Sequence, residues 1–255
     1  MATTQQAIAG PAVARDLTLA DLRAALAAGW RDFLGNPLYG LFFGAIYVVA
    51  GLAVAYALVW HGEAGWLVPV AAGFPLIAPF AAVGLYEVSR RRELGGPLSW
   101  RAVLGALGGR GDDQLLMMGG LVFVAFSFWV IIAHAIFSIF MAESGIGGDS
   151  LAVFHTTAGV WMLIVGTTAG ALLAWSFYCI TVISLPMLVD RDIDFISAIS
   201  ASVRVVRDNT GVMLGWACII AVALLVAMIP LLMGLLVMLP VLGHATWHLY
   251  RRAVR

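Results

Sequence analysis

Residues 38–60 run without one charged side chain, and the chain returns to such stretches repeatedly. Residues 115–141, 154–189 and 211–250 are equally free of Asp, Glu and Arg, and residues 66–88 carry one acid, Glu87. A bilayer core about 30 Å thick takes about 20 apolar residues in helical form, because only a helix or a closed barrel satisfies its own backbone there. Segments this long and continuous predict spanning α-helices. The composition agrees: 62% of residues are hydrophobic and 11% charged, with a mean hydropathy of +0.99. Average soluble domains have roughly 45–50% and 25%. A soluble core of 255 residues could not hide that apolar surface.

The charges decide how many spans there are. All fourteen basic residues are Arg. Reading residues 154–189 as one long helix, kinked near Pro186, and residues 211–250 as two spans turning at Pro230 and Gly234 gives six spans. Every Arg then falls on one side. Arg15, Arg23 and Arg31 precede span one, Arg90–Arg92, Arg101 and Arg110 lie between spans two and three, Arg191, Arg204 and Arg207 between four and five, and Arg251, Arg252 and Arg255 after span six. The other side carries only Glu63, Glu143 and Asp149. Positive residues favour cytoplasmic loops, so both termini are expected in the cytoplasm. Splitting 154–189 into two spans would scatter the Arg.

Residues 1–16 read as a disordered tail and 17–255 as a single membrane domain. Within it a unit recurs at 17–96, 97–193 and 194–255: a short amphipathic cytoplasmic helix, then a hairpin of two spans. The units open at Leu17-Thr18, Leu98-Ser99 and Ile196-Ser197, each a plausible helix cap, with Thr18 and Asp21 at capping-box spacing. In the first helix Leu19, Leu22, Leu26, Trp30 and Phe33 form the apolar row, while Asp21, Arg23, Arg31 and Asp32 carry the charge. The expected fold class is therefore all-α: a polytopic membrane protein with six transmembrane helices as three hairpins, each preceded by an interface helix. Gly40/Gly44, Gly166/Gly170 and Gly211/Gly215 have the spacing that lets helices approach closely.

Chemistry-bearing residues are few. His244 and His248 sit four apart on one helix face, a spacing that can hold a metal or a haem, but no HExxH, CxxC or paired-carboxylate pattern accompanies them. Beside Trp247 and Tyr250 they read first as interface anchors. His134 and His155 lie towards the outer ends of spans three and four, with structural roles expected. Glu87, one turn before Arg90 and Arg91, reads as a same-helix ion pair or as a gate at the cytoplasmic mouth. Span four is the most polar, and Tyr178 and Thr181 are candidates for a polar path or for hydroxyl-mediated helix association. Cys179 and Cys218 fall inside apolar segments, so no disulfide framework is implied. No catalytic residue, metal ligand set or cofactor is expected, and zero net charge without a basic run makes nucleic acid an unsuited partner.

The stretches Leu38-Tyr-Gly-Leu-Phe-Phe-Gly44, Gly84-Leu-Tyr-Glu-Val-Ser-Arg-Arg91, Pro97-Leu-Ser-Trp100 and Leu239-Pro-Val-Leu-Gly-His-Ala-Thr-Trp-His-Leu-Tyr-Arg251 resemble the bacterial predicted integral membrane proteins grouped as domain of unknown function 2189. That resemblance implies a bacterial inner-membrane protein and carries no site residues. The function expected is a non-enzymatic scaffold, assembly or accessory subunit of a membrane complex, with the bilayer and other inner-membrane proteins as partners. The alternatives are a transporter or channel for a small solute or lipid, and a haem- or metal-binding subunit.

Overall fold

The computed structural model describes residues 11–62, 66–67, 70–71, 78–106, 113–144 and 155–254. The described chain is all helical and has no strand; its one β-type contact is an isolated bridge between Val13 and Val254. In chain order the helices are α1 (Leu19–Gly35), α2 (Pro37–Trp60), α3 (Ala78–Glu93), α4 (Trp100–Gly105), α5 (Gln114–Ser144), α6 (Thr157–Thr181), α7 (Ser184–Asp190), α8 (Phe195–Asp208), α9 (Thr210–Met228) and α10 (Leu235–Ala253). Glu63, Pro69, Pro75, Arg110, Asp149 and Arg255 lie outside the described residues, as do the side chains of Pro79 and Glu143.

Four described helices are long and apolar enough to cross a bilayer: Pro37–Trp60, Gln114–Phe140, Thr157–Asp190 and Thr210–Met228. The sequence led us to expect six. Thr157–Asp190 forms one candidate crossing, α6 continued by α7 through a break at Val182-Ile183 before Pro186. The turn expected near Pro230 is present, made with positive φ at Leu231 and Leu232 (50° and 65°). The shortfall lies in α3, described only from Ala78, and in α10. The last three turns of α10 carry His244, His248, Arg251 and Arg252, which leaves an apolar run too short to cross unaided.

Burial separates the helices into two kinds. Only 22% of the apolar window of α2, 17% of α5 and 22% of α9 is buried within the protein. α10 is the opposite: Trp247, Leu249, Tyr250, His244 and Ala245 are at 0% exposure. It packs against α1, α2 and α3. Glycines set these contacts. A Cβ at Gly29 of α1 would lie 2.5 Å from the Ala245 backbone nitrogen, and one at Gly44 of α2 would lie 2.9 Å from Leu236 Cα. The Gly40/Gly44 pair is thus the seam between α2 and α10, where small residues let van der Waals contact replace the absent hydrophobic drive. At Gly211 a Cβ would meet nothing.

Local signals explain most boundaries. Thr18 and Asp21 form the capping box of α1, and Ser99 caps α4 by accepting from the Ala102 amide. α8 starts before the Ile196-Ser197 opening read from the sequence, because Asp194 is its cap and accepts from the Ser197 amide at 2.8 Å. α1 meets α2 at the single residue Asn36, and α8 meets α9 at the single residue Asn209, with similar backbone angles (φ −146°, ψ 60° and φ −132°, ψ 38°).

The buried row of α1 is Leu22, Ala25, Gly29, Asp32 and Phe33, whereas Leu19 and Trp30 are exposed at 61% and 45%. The inward face is rotated relative to the apolar row because Gly29 permits backbone contact with α10 there. The residues just before α1 are held to the ends of α8 and α10. The Ala14 amide donates to Ala253 O at 2.8 Å, and Asn209 Nδ2 donates to Ala14 O at 2.8 Å. The Leu17 amide donates back to Asn209 Oδ1 at 3.1 Å.

Candidate functional site: a buried polar cluster and an apolar cavity

The two histidines singled out by spacing converge on an acid that sequence reasoning had placed on an outer face. Asp32 reaches the inner half of α10 from the buried side of α1. Its Oδ2 accepts from the Ser89 hydroxyl at 2.6 Å and from His248 Nε2 at 2.9 Å; its Oδ1 accepts from Arg92 Nε at 3.0 Å. Ser89 Oγ also lies 2.8 Å from His244 Nδ1. A hydroxyl has one proton, and the carboxylate takes it, so His244 must donate from Nδ1. That fixes the His244 tautomer and leaves Nε2 a bare lone pair, fully buried and without a partner. Burial disfavours the charged form of Asp32, but hydrogen bonds from His248 and Ser89 outweigh it and hold the carboxyl below its ordinary 3.8.

α1, α3 and α10 are tied together by this cluster. A second set joins α3, α7 and α10. Arg251 donates to Glu93 at 3.0 Å and to Asp190 at 3.1 Å, the Tyr250 hydroxyl donates to Asp190 at 2.7 Å, and Trp247 Nε1 donates to Glu93 at 3.1 Å. Arg252 pairs with Asp21 at 3.0 Å and with Asp16. The inner ends of these helices are therefore cross-linked by charge from several directions. Among the described residues no group of three or more His, Cys, Asp and Glu side chains has metal-holding geometry. His248 Nε2 is engaged by Asp32, and His244 is sealed in the packing.

Glu87 accepts along its own helix from Arg90 Nε at 2.9 Å and Arg91 Nε at 2.6 Å while 3% exposed. It borders a small cleft against α4 and α7. Tyr178 and Thr181 come together on the wall of a cavity of about 650 Å³ between α3, α5, α6, α9 and α10. Tyr178 donates to the Met213 carbonyl of α9 at 2.8 Å, and Thr181 to Phe177 O at 2.9 Å. Cys218 also faces the cavity. His134 stacks on Trp66 with ring centroids 5.1 Å apart, a packing role. His155 precedes α6 on the exposed side.

Sequence reasoning missed Asp32, Ser89 and Arg92 as the partners of the histidines. One signal was available: Asp32 falls in register with Leu22, Ala25 and Gly29, a carboxylate on the row of a helix that goes inside.

A chain whose described part is helical without a strand, with four helices long and apolar enough to cross a bilayer, has the character of an integral membrane protein of the all-α class. Residues 67–190 match the family of predicted integral membrane proteins grouped as domain of unknown function 2189. No curated protein and no solved structure matches the chain. The matched stretch holds α3 to α7, hence Glu87, Ser89, Arg92, Tyr178 and Thr181; Asp32, His244 and His248 lie beyond it.

Proposed function

We propose that the protein is a non-enzymatic scaffold or accessory subunit of a bacterial inner-membrane complex. In this reading α3 with the residues before it and α10 complete six spans as three hairpins, with both termini cytoplasmic. The observation that carries it is the closure of the inner ends. Arg251 bridges Glu93 and Asp190, and Asp32 gathers Ser89, His248 and Arg92, so α1, α3, α7 and α10 are locked into one charged layer. A solute path needs an inner mouth that opens, and separation there would leave the buried Asp32 carboxylate uncompensated. A locked layer suits a protein that presents a surface. The helix–Asn–helix joints at Asn36 and Asn209 support the repeat, and the one-sided Arg support the orientation.

Mild-detergent pull-down with cross-linking and mass spectrometry tests the scaffold. Reproducible recovery of the same inner-membrane proteins, cross-linked to exposed positions such as Arg23, Arg31 or Arg101, is expected. A protein recovered alone under every condition, and conducting a small solute in vesicles, overturns it. Reporter fusions after Gly62 should read outside and after Ser200 inside; an outside signal at Ser200 rejects the orientation.

A further inference from the structure

The 650 Å³ cavity is a second feature, distinct from the locked inner layer. Its volume lies within the roughly 300–1,000 Å³ of small-molecule sites. On α6 its wall runs from Met162 to Thr181, about 30 Å at 1.5 Å per residue, so the space is elongated along that helix. Three hydroxyls of the wall turn their hydrogens away: Tyr178 donates to Met213 O, Thr181 to Phe177 O and Thr246 to Leu242 O. These hydroxyls are spent on carbonyls and do not solicit a polar solute.

Thr167 also lines the wall but is exposed; among the buried hydroxyls one differs. Tyr86 of α3 is 4% exposed, lines the cavity, and its oxygen has no hydrogen-bond partner among the described residues. The cavity is open on one side. α6 and α9 share little direct contact, and the rim residues Leu163, Leu214 and Leu225 are exposed at 38%, 48% and 53%. That opening faces laterally between two membrane-crossing helices, where the surrounding medium is lipid.

We propose that this cavity binds one acyl chain of a membrane glycerolipid, admitted between α6 and α9, with the Tyr86 hydroxyl donating to the ester carbonyl. The chain matches the elongated apolar wall, and the ester supplies the one acceptor that Tyr86 lacks. The site does not depend on the scaffold reading.

A phosphatidylcholine carrying a diazirine at mid-chain, incorporated with the full-length protein into vesicles, tests it. Photolabelling is expected on α5, α6 and α9 residues of the cavity wall. Gly166→Trp fills the space, since a Cβ there meets only Ile136 at 4.0 Å, and should cut cavity labelling at least tenfold while labelling on the outer face of α2 persists. Ala217→Trp on the facing helix repeats the test if Gly166→Trp fails to fold. Tyr86→Phe should weaken retention about fivefold, the worth of one hydrogen bond. Labelling unchanged in both filling variants means annular lipid only and overturns the site. Loss on filling with no effect of Tyr86→Phe overturns the ester contact. Recovery of a stoichiometric apolar molecule lacking glycerol esters from the purified protein overturns the lipid assignment.

Discussion

Asp32 of α1 and Ser89 of α3 are 57 positions apart, yet their side chains meet at 2.6 Å inside the protein. The contact fixes the direction of every hydrogen bond around it, down to the tautomer of His244. Replacing Asp32 by Ala would leave Ser89, Arg92 and His248 facing an empty site. A charge-assisted bond is worth about 1.5–3 kcal/mol, and the partial exposure of Arg92 and His248 softens their loss. Asp32→Ala should therefore lose about 2–3 kcal/mol in chemical unfolding in detergent. Arg251→Ala, whose partners are more exposed, should lose about 1 kcal/mol or less.

The same acid sets a pH dependence. Its folded-state pKa is depressed, so its contribution is fully present above its ordinary value of 3.8 and is lost as pH falls through the lower folded value. Wild-type protein should hold a flat stability from pH 5 to 7 on this account and destabilise below the usual carboxylate range. Thermal unfolding across pH 3–6 should show a shallower acid limb in Asp32→Asn.

Glycine positions give a sharp contrast. Gly29→Ala drives a methyl into the Ala245 backbone at 2.5 Å, which a side-chain shift cannot relieve, and should cost about 1–3 kcal/mol. Gly211→Ala meets nothing, and within a helix should be neutral or stabilise by about 0.5–1 kcal/mol. Paired melting curves decide between them.

Asn209 holds the N-terminal strap through Ala14 and Leu17. Asn209→Ala should free it. Trypsin cleavage after Arg15 should accelerate severalfold, while the helical circular dichroism of the rest is retained. Unchanged cleavage would show that the strap is held by other contacts, such as the Val13–Val254 bridge.

Tyr178 links α6 to α9 by a single bond to a backbone carbonyl. Interhelical hydrogen bonds in membranes average about 0.6 kcal/mol, so Tyr178→Phe should be mild, below about 1 kcal/mol. A loss of several kcal/mol would mean that the hydroxyl does more than fasten these two helices.

The sequence by itself determined the class. Apolar runs longer than a bilayer is thick can only be helices that cross it, and the capping residues Thr18 and Ser99 mark helix starts by local chemistry that needs no partner. It also marked His244 and His248 as unusual, and the glycine seam at Gly40/Gly44. Tertiary structure decided what those residues meet. The inward face of α1 depends on where α10 tolerates backbone contact, and neither helix alone encodes that. The cluster around Asp32 joins side chains from three helices far apart in the chain, so periodicity, which reads one helix at a time, could not assemble it. The cavity is likewise a gap between five helices, defined by how they fail to close and written in none of them singly. The span count sits between the two levels. Length and hydropathy mark four helices able to cross, while α10 has its polar end buried by neighbours that only the fold supplies.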